Sequence, residues 1–326
     1  MFGHMQFSDY LIDYSLQINT QCLRLLQDHA LNQRHTPHAG EQVLDSSSGV
    51  LSLSRSASLL LNVRRSRSLW YLVRALVDRE LFDAAQDRLG IAALALESLP
   101  AHHRMLKTVH KLLKKSMARG ESAEVRETLE LALLKMTVAQ QVENADPLLL
   151  SSIFQEESRV WREMEFPPDA DETVIQQGYG RVYRSARRSG RRVIQNQDKP
   201  GRLLQKWQRW TTLNLYQLDI IKPALREGNR ARRWYLDRLS DFLSQYDTLS
   251  LLQERLKQAL DTHREGEKVQ SLLEQRRARH LTRILKLYPY IYSQKVDNYV
   301  TEVRSDIRQL ALHNVIMLPR STERRA

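Results

Sequence analysis

The apolar positions of this chain recur mostly at three- and four-residue spacing, which is typical of amphipathic α-helices. Alternating runs rich in Val, Ile and Thr are missing, so the sequence predicts no β-sheet. Proline and glycine residues interrupt this pattern and indicate where helices begin and end. The predicted helices span residues 5–33, 52–77, 78–96, 102–118, 122–142, 147–164, 172–194, 202–222, 230–240, 247–263, 267–286 and 295–312. The sequence therefore predicts an all-α fold.

The most distinctive predicted helix runs from Gly178 to Ile194. At about 100° per residue, six arginines fall within an arc of roughly 140°, and apolar residues occupy the opposite side. The six are Arg181, Arg184, Arg187, Arg188, Arg191 and Arg192. Like charges four residues apart destabilise a helix, and the sequence has no acid between Glu172 and Asp198. We therefore expect this face to need an anionic partner; the alternative is a solvated face that pairs with carboxylates elsewhere in the fold.

The charge distribution points to the same half of the chain. The 326 residues carry a net charge of +12. Residues 1–162 hold 19 basic against 18 acidic side chains, whereas residues 163–326 hold 31 against 20. Such an asymmetry is typical of a localised anion-binding surface. The proline pair and acids of residues 166–172 predict a boundary between an N-terminal half (1–165) and a basic C-terminal half (166–318), followed by a flexible tail (319–326).

Basic side chains also interrupt the apolar helix predicted at residues 52–77, at Arg64, Arg65 and Arg67. An arginine is costly to bury alone, so these side chains should line a cavity or pair with acids. We expect Arg64 and Arg67 to converge with the arginine helix of the second half, since one shared cavity would satisfy both.

Motifs for catalysis and for metal binding are missing from the sequence. It contains no GxxxxGK[ST] loop, GxGxxG or HExxH motif and no nucleophile elbow. Cys22 is the only cysteine, and His35 and His38 lie in a loop where we expect them to be exposed. No apolar run is long enough to span a membrane, and the N-terminus does not resemble a signal peptide. These features predict a protein that is not an enzyme, with no cofactor and no metal.

Several stretches, in order from about residue 5 to residue 305, together resemble the CHAD family, the conserved histidine α-helical domain. They are Val63-Arg-Arg-Ser-Arg-Ser68, Leu99-Pro-Ala-His-His103, Gly180 to Val193, Gln205-Lys-Trp-Gln-Arg209 with Leu215-Tyr-Gln-Leu218, Leu243-Ser-Gln-Tyr-Asp247, and Ile284 to Tyr299. The chain departs from the family pattern at Ala57 and Gln205, where the two name-giving histidines are expected. Leu60, Gln208 and Thr212 replace basic residues of the signatures, and His102-His103 replaces an Arg-Asp pair.

The resemblance implies two helical bundles related by a pseudo-twofold axis, with a basic groove between them that binds inorganic polyphosphate or a similar polyanion. It also implies a bacterial-type cytoplasmic protein associated with polyphosphate granules. The family role carries over to the basic residues that remain at matching positions. These are Arg64, Arg65, Arg67, Arg181, Arg184, Arg188, Lys206 and Arg209.

Two other functions fit the sequence. One is nucleic-acid binding, because aromatic residues near the basic segments could stack on bases. These residues are Tyr183, Trp207, Trp210, Tyr216 and Trp234, and most of them fall on apolar helix faces, which favours core packing. The other is a degenerate CHAD-like scaffold that contacts a protein partner and has given up the polyanion.

Overall fold

The computed structural model describes residues 6–34, 51–118, 123–138, 145–198, 200–259 and 264–317, and within these ranges the chain is helical and has no strand. The all-α prediction is thus confirmed. The α-helices are α1 (Phe7–Arg34), α2 (Leu53–Val73), α3 (Arg79–Ala118), α4 (Ala123–Val138), α5 (Pro147–Arg162), α6 (Ala170–Thr173), α7 (Gly180–Gln195), α8 (Gly201–Ile220), α9 (Glu227–Ala259), α10 (Arg264–Tyr292) and α11 (Val296–Met317). A π-helical turn, Val174–Tyr179, leads into α7, and a short 3₁₀ turn, Lys222–Ala224, follows α8.

Two predicted helix breaks are wrong. The first is at Pro100, which lies inside the continuous helix α3. Proline removes one backbone hydrogen bond and crowds the preceding turn. Here the ring is buried, and Leu96 and Met105 on either side of it are buried in hydrophobic clusters. Packing on both sides therefore maintains the helix across a residue that local propensity treats as a stop.

The second wrong break separated residues 230–240 from residues 247–263. The structure has one helix, α9, across both segments. Leu239, Leu243, Tyr246 and Leu249 are all buried and follow one another at three- and four-residue spacing. That spacing continues the buried face through the expected gap, so no turn is formed there. The predicted tail and the loop with His35 and His38 lie outside the described residues.

The hydrophobic core joins the two predicted halves. Its main cluster extends from Phe7 to Leu310 and includes residues of both halves, while a smaller cluster lies among α3, α4, α9 and α10. Asp171, at the start of the second half, accepts hydrogen bonds from the backbone N–H groups of Phe7 (2.9 Å) and Ser8 (2.8 Å) and so caps α1. The pseudo-twofold relation between two bundles stays a prediction.

A buried ion pair connects three helices of the first half. The Glu157 side chain of α5 is 0% exposed, and its carboxylate accepts hydrogen bonds from Trp70 Nε1 (2.7 Å) and Arg88 Nη2 (2.8 Å). Burial raises the pKa of Glu157, and the hydrogen bonds from Trp70 and Arg88 partly oppose this rise. Because α2, α3 and α5 meet at this carboxylate, it fixes their relative positions.

We expect Glu157→Ala to lower the free energy of unfolding by about 3–5 kcal/mol, because Arg88 and the Trp70 N–H would be left without their buried partner. The matched control is Glu156→Ala, since Glu156 pairs with Arg159 on the solvent side of the same helix. We expect that change to have little effect. Urea unfolding of both variants tests the contrast, and similar values would contradict the structural role given to Glu157.

Two glycines allow α7 and the turn before it to pack very closely. A Cβ atom on Gly178 would lie 2.7 Å from the carbonyl oxygen and 2.9 Å from the Cα atom of Leu72 in α2. On Gly190 it would lie 2.7 Å from ring atoms of both Trp207 and Tyr288. The helix backbone beside Gly178 and the packed aromatic rings beside Gly190 cannot easily move away from an added Cβ atom. The orientation of α7 is therefore set by contacts that only glycine permits.

We expect Gly178→Ala to lower the free energy of unfolding by about 1–3 kcal/mol, because the α2 backbone must shift. Gly90→Ala is the matched control, since that helical glycine has nothing within 4 Å of the added Cβ atom. There the better helix propensity of alanine should raise the free energy of unfolding by about 0.5–1 kcal/mol. Chemical denaturation measures both variants, and a free energy of unfolding that changes in the same direction in both would contradict the close approach at Gly178.

Candidate functional site

Helix α7 presents a face of arginine side chains to solvent. Its opposite face is buried, with Val182, Tyr183, Ala186 and Val193 in the main core. The predicted orientation of this helix is thus confirmed. In the described part of the chain, no carboxylate lies within 4.0 Å of the guanidinium groups on the exposed face. The exposed residues are Arg181, Arg184, Arg188, Arg191 and Arg192.

Arg187 lies at the edge of this face and differs from the others. It is half-buried, and its Nε atom donates a hydrogen bond to the backbone oxygen of Tyr292 in α10 (3.0 Å). In return, the Tyr288 hydroxyl donates to the backbone oxygen of Arg187 (3.2 Å). Arg187 therefore attaches α7 to α10, whereas the other five arginines leave their guanidinium groups towards solvent.

Two further predicted residues, Lys206 and Arg209, lie on α8, which packs against α7. The register of the two helices brings Gly190 of α7 against Trp207 of α8, the residue that follows Lys206. Lys206 and Arg209 are exposed. They add positive charge to a helix that packs directly against α7.

Arg209 also meets the arginines of the first half. Its Nη2 atom donates to the Tyr71 hydroxyl (2.6 Å), and burial together with neighbouring Arg209 lowers the pKa of Arg67. Arg67 Nε donates to the Gln86 side chain (3.1 Å), and Arg64 pairs with Glu97 (3.0 Å). Arginines from both halves thus come together between α2 and α8.

The expected convergence of Arg64 and Arg67 with the arginines of α7 stays a prediction, because no contact among the described residues links Arg64 or Arg67 to Arg184. Arg65 is oriented differently from its neighbours. It donates to Asn62 Oδ1 (3.3 Å) and lies close enough to Tyr14 and Tyr216 to oppose the rise that burial causes in their pKa values. The candidate residues of α2 therefore face more than one environment.

The positions of the missing family histidines can be described as well. Ala57 and Gln205 are both exposed. Burial and Glu97 raise the pKa of Asp247, and a hydrogen bond with the Gln205 side chain opposes that rise. His102 is buried, and burial with nearby Arg255 lowers its pKa, so its ring is neutral at neutral pH. Within the described ranges no group of three or more His, Cys, Asp or Glu side chains is placed to bind a metal.

The sequence prediction named none of the residues of one basic surface, a groove lined by α3, α9 and α10. The cavity at its centre has a volume of about 220 Å³. Its basic side chains are Arg104, Lys107, Lys111, Arg276 and His280. The signal was present as two separate clusters of positive charge, at residues 102–115 and 276–283. Nothing in the local sequence indicates that these clusters face each other.

Comparison with known proteins gives no match: no protein-family model matches the chain, and no curated protein matches it. None of the described helices combines the length and the apolar character that crossing a membrane requires.

We expect the double variant Arg184→Ala/Arg188→Ala to keep or slightly raise the free energy of unfolding, because like-charge repulsion is relieved and alanine is the better helix former. Arg187→Ala should instead lower it, because the hydrogen bond to Tyr292 is removed. Thermal unfolding followed by circular dichroism compares the two. A large drop in stability of the double variant would show that Arg184 and Arg188 have structural roles.

Proposed function

We propose that the protein binds inorganic polyphosphate, or a similar linear polyanion, without catalysis, on the exposed arginine face of α7 and the adjoining cations of α8. The observation that carries this proposal is a helix face with five exposed arginines and no described carboxylate partner. The proposal includes a cytoplasmic location in association with polyphosphate granules.

The chemistry of polyphosphate suits such a surface. Every unit of the chain carries negative charge and none offers a base edge, so recognition needs only cations at regular spacing on a rigid support. Guanidinium groups match phosphate oxygens with two parallel hydrogen bonds. Release of condensed counterions supplies a driving force that depends steeply on salt. A flexible polyphosphate chain can follow the line of arginines along α7, whereas a rigid DNA duplex contacts that line only where one of its strands crosses the helix.

The resemblance to the CHAD family supports the same ligand class, since the matching arginines include Arg181, Arg184 and Arg188. The comparisons with known proteins add no support for that family. The proposal therefore depends on the charge and exposure of α7, together with the order of the signature-like stretches.

We expect Arg184→Ala/Arg188→Ala to weaken binding of long-chain polyphosphate by roughly 1.5–3 kcal/mol for each charge-assisted hydrogen bond to phosphate that is removed. Fluorescence anisotropy with labelled polyphosphate, repeated over a range of salt concentrations, measures the affinity and its salt dependence. The double variant should also show a shallower salt dependence, because fewer counterions are released.

The matched control is Arg24→Ala/Arg162→Ala, which removes the same charge from exposed positions on α1 and α5. Duplex DNA and heparin of equal charge serve as competing polyanions, and both should bind more weakly than polyphosphate. If all three polyanions bind weakly and equally, and neither double variant changes this, the proposal is wrong and the scaffold function becomes the better one.

A contact with a protein partner is the second candidate, and an exposed aromatic cluster favours it. Trp234 is 50% exposed and Tyr290 is 63% exposed, and both rings pack against Tyr235. The Arg238 guanidinium lies 4.4 Å from the Trp234 ring centroid. Tryptophan, tyrosine and arginine are the residues most enriched at the centres of protein interfaces.

The burial of the predicted stacking residues weakens the nucleic-acid alternative. Of the aromatic residues considered for base stacking, Trp207 and Tyr183 are fully buried, and Tyr216 is buried against α2. Trp234 is the exposed ring among them. Buried rings are unavailable to bases, whereas single-strand binding uses successive exposed aromatic side chains, so most of the residues that the sequence suggested for stacking do not favour this function.

A further inference from the structure

The groove between α3 and α10 is a recessed, basic cavity assembled from three helices. Helix α3 forms one wall, α10 the opposite wall, and α9 the floor, around a volume of about 220 Å³. The lining residues that the structure describes include no aspartate or glutamate. They are Arg104, Lys107, Thr108 and Lys111 of α3, Ser244, Gln245, Thr248 and Leu249 of α9, and Arg276 and His280 of α10.

A second cavity extends the groove along α10. It has a volume of about 120 Å³ and shares Arg276 and His280 with the first. It adds Lys115 from α3 and both Arg279 and Arg283 from α10. Its described lining also contains no carboxylate. Basic side chains are therefore the charged groups of the described lining along the whole groove.

Two of the three hydroxyl groups that line the central cavity donate to the backbone of their own helices, and the third belongs to Ser244. Thr108 Oγ1 donates to the backbone oxygen of Arg104, and Thr248 Oγ1 donates to that of Ser244, each at 2.8 Å. Their hydrogens are therefore occupied by the protein itself. Recognition in this groove would depend mainly on lysine and arginine, which favours a multiply charged anion over a neutral polar molecule.

Two polar atoms on the wall are buried and have no hydrogen-bond partner. They are Arg104 Nε and His280 Nδ1. Burial and Arg64 lower the pKa of Arg104, and the carboxylates of Glu97 and Asp247 oppose that change. Burial and the neighbouring Arg283 and Arg276 lower the pKa of His280.

We infer that this groove is a separate binding site for a compact oligophosphate, such as a short phosphate chain or a ring bearing several phosphates. The concentration of basic side chains from α3 and α10 in a cavity whose described lining holds no carboxylate supports this ligand class. The volume limits its size, because pockets for drug-sized molecules usually measure about 300–1,000 Å³. The cavity is smaller than that, so it suits a few phosphate groups better than a nucleotide with its base.

The site is independent of the function proposed above, because it shares no lining residue with the arginine face of α7 or with Lys206 and Arg209 of α8. Failure of one proposal therefore leaves the other standing, and variants of each surface serve as controls for the other.

The test uses isothermal titration calorimetry of the full chain with sodium tripolyphosphate, at two salt concentrations. We expect one site per chain, with affinity that falls as salt is added. Lys107→Gln/Lys111→Gln should weaken binding at least about tenfold, since two charge-assisted hydrogen bonds to the ligand are removed. Both lysines are exposed side chains on α3, so the fold should be unaffected.

The matched control is Lys114→Gln/Lys257→Gln, which removes the same charge from exposed positions that do not line the groove. It should bind tripolyphosphate as the unaltered protein does, and so should Arg184→Ala/Arg188→Ala. Unchanged binding in Lys107→Gln/Lys111→Gln would overturn the inference, as would equal weakening in the control. Weakening confined to the α7 variant would assign tripolyphosphate to the arginine face instead, and no measurable binding would also refute the site.

Discussion

The close packing of α7 against the rest of the helical core is the constraint on which the candidate surface depends. Gly178 lies against the backbone of α2, and Gly190 lies against the rings of Trp207 and Tyr288. Tyr183 stacks on Tyr299 of α11 with ring centroids 4.1 Å apart. A helix whose exposed side carries self-repelling arginines would be only marginally stable alone. Its buried side supplies the packing that keeps the helix formed and correctly oriented.

The arginines of the chain fall into two groups. Some are paired with carboxylates inside the fold, and others are exposed without such a partner among the described residues. Arg88 pairs with the buried carboxylate of Glu157, and buried Arg232 pairs with Glu302 (2.9 Å) and donates to Gln294 (2.6 Å). Such cations are compensated inside the fold and stabilise the packing of its helices. Arg184 and Arg188 have no such compensation in the described chain, so their charge remains available to an outside partner.

The most accurate predictions from the sequence concern features that depend on residues of a single helix. The two-sided character of α7 follows from its own spacing, and the structure places Ala186 inside and Arg184 outside as that spacing predicts. Predictions that depend on tertiary packing were less accurate. Pro100 and the region after Ser240 look like helix ends locally, but buried neighbours on both sides carry α3 and α9 through them.

The site could be predicted only in part for the same reason. Arg209 was selected from its own helix, but its proximity to Arg67 depends on how α2 and α8 pack. The residues of the groove were not predicted, because Lys111 and Arg276 are far apart in sequence and only the packing of α3, α9 and α10 brings them to one cavity. Charge clusters can be counted in a sequence, whereas their mutual orientation is a property of the fold.

The two basic surfaces differ in shape, and shape separates the ligands they can select. On the exposed face of α7, cations follow one another along the helix axis, so the proposed affinity for a phosphate chain would grow with the number of phosphates that align with them. In the groove, Lys111 of α3 and Arg276 of α10 approach one cavity from opposite walls. A ligand there must concentrate its charge in a small volume, and lengthening the chain adds no interaction once the cavity is full. If phosphate chains bind to both surfaces as proposed, a longer chain should bind more strongly to α7 and no more strongly in the groove, because only the helix face offers further cations to a longer chain.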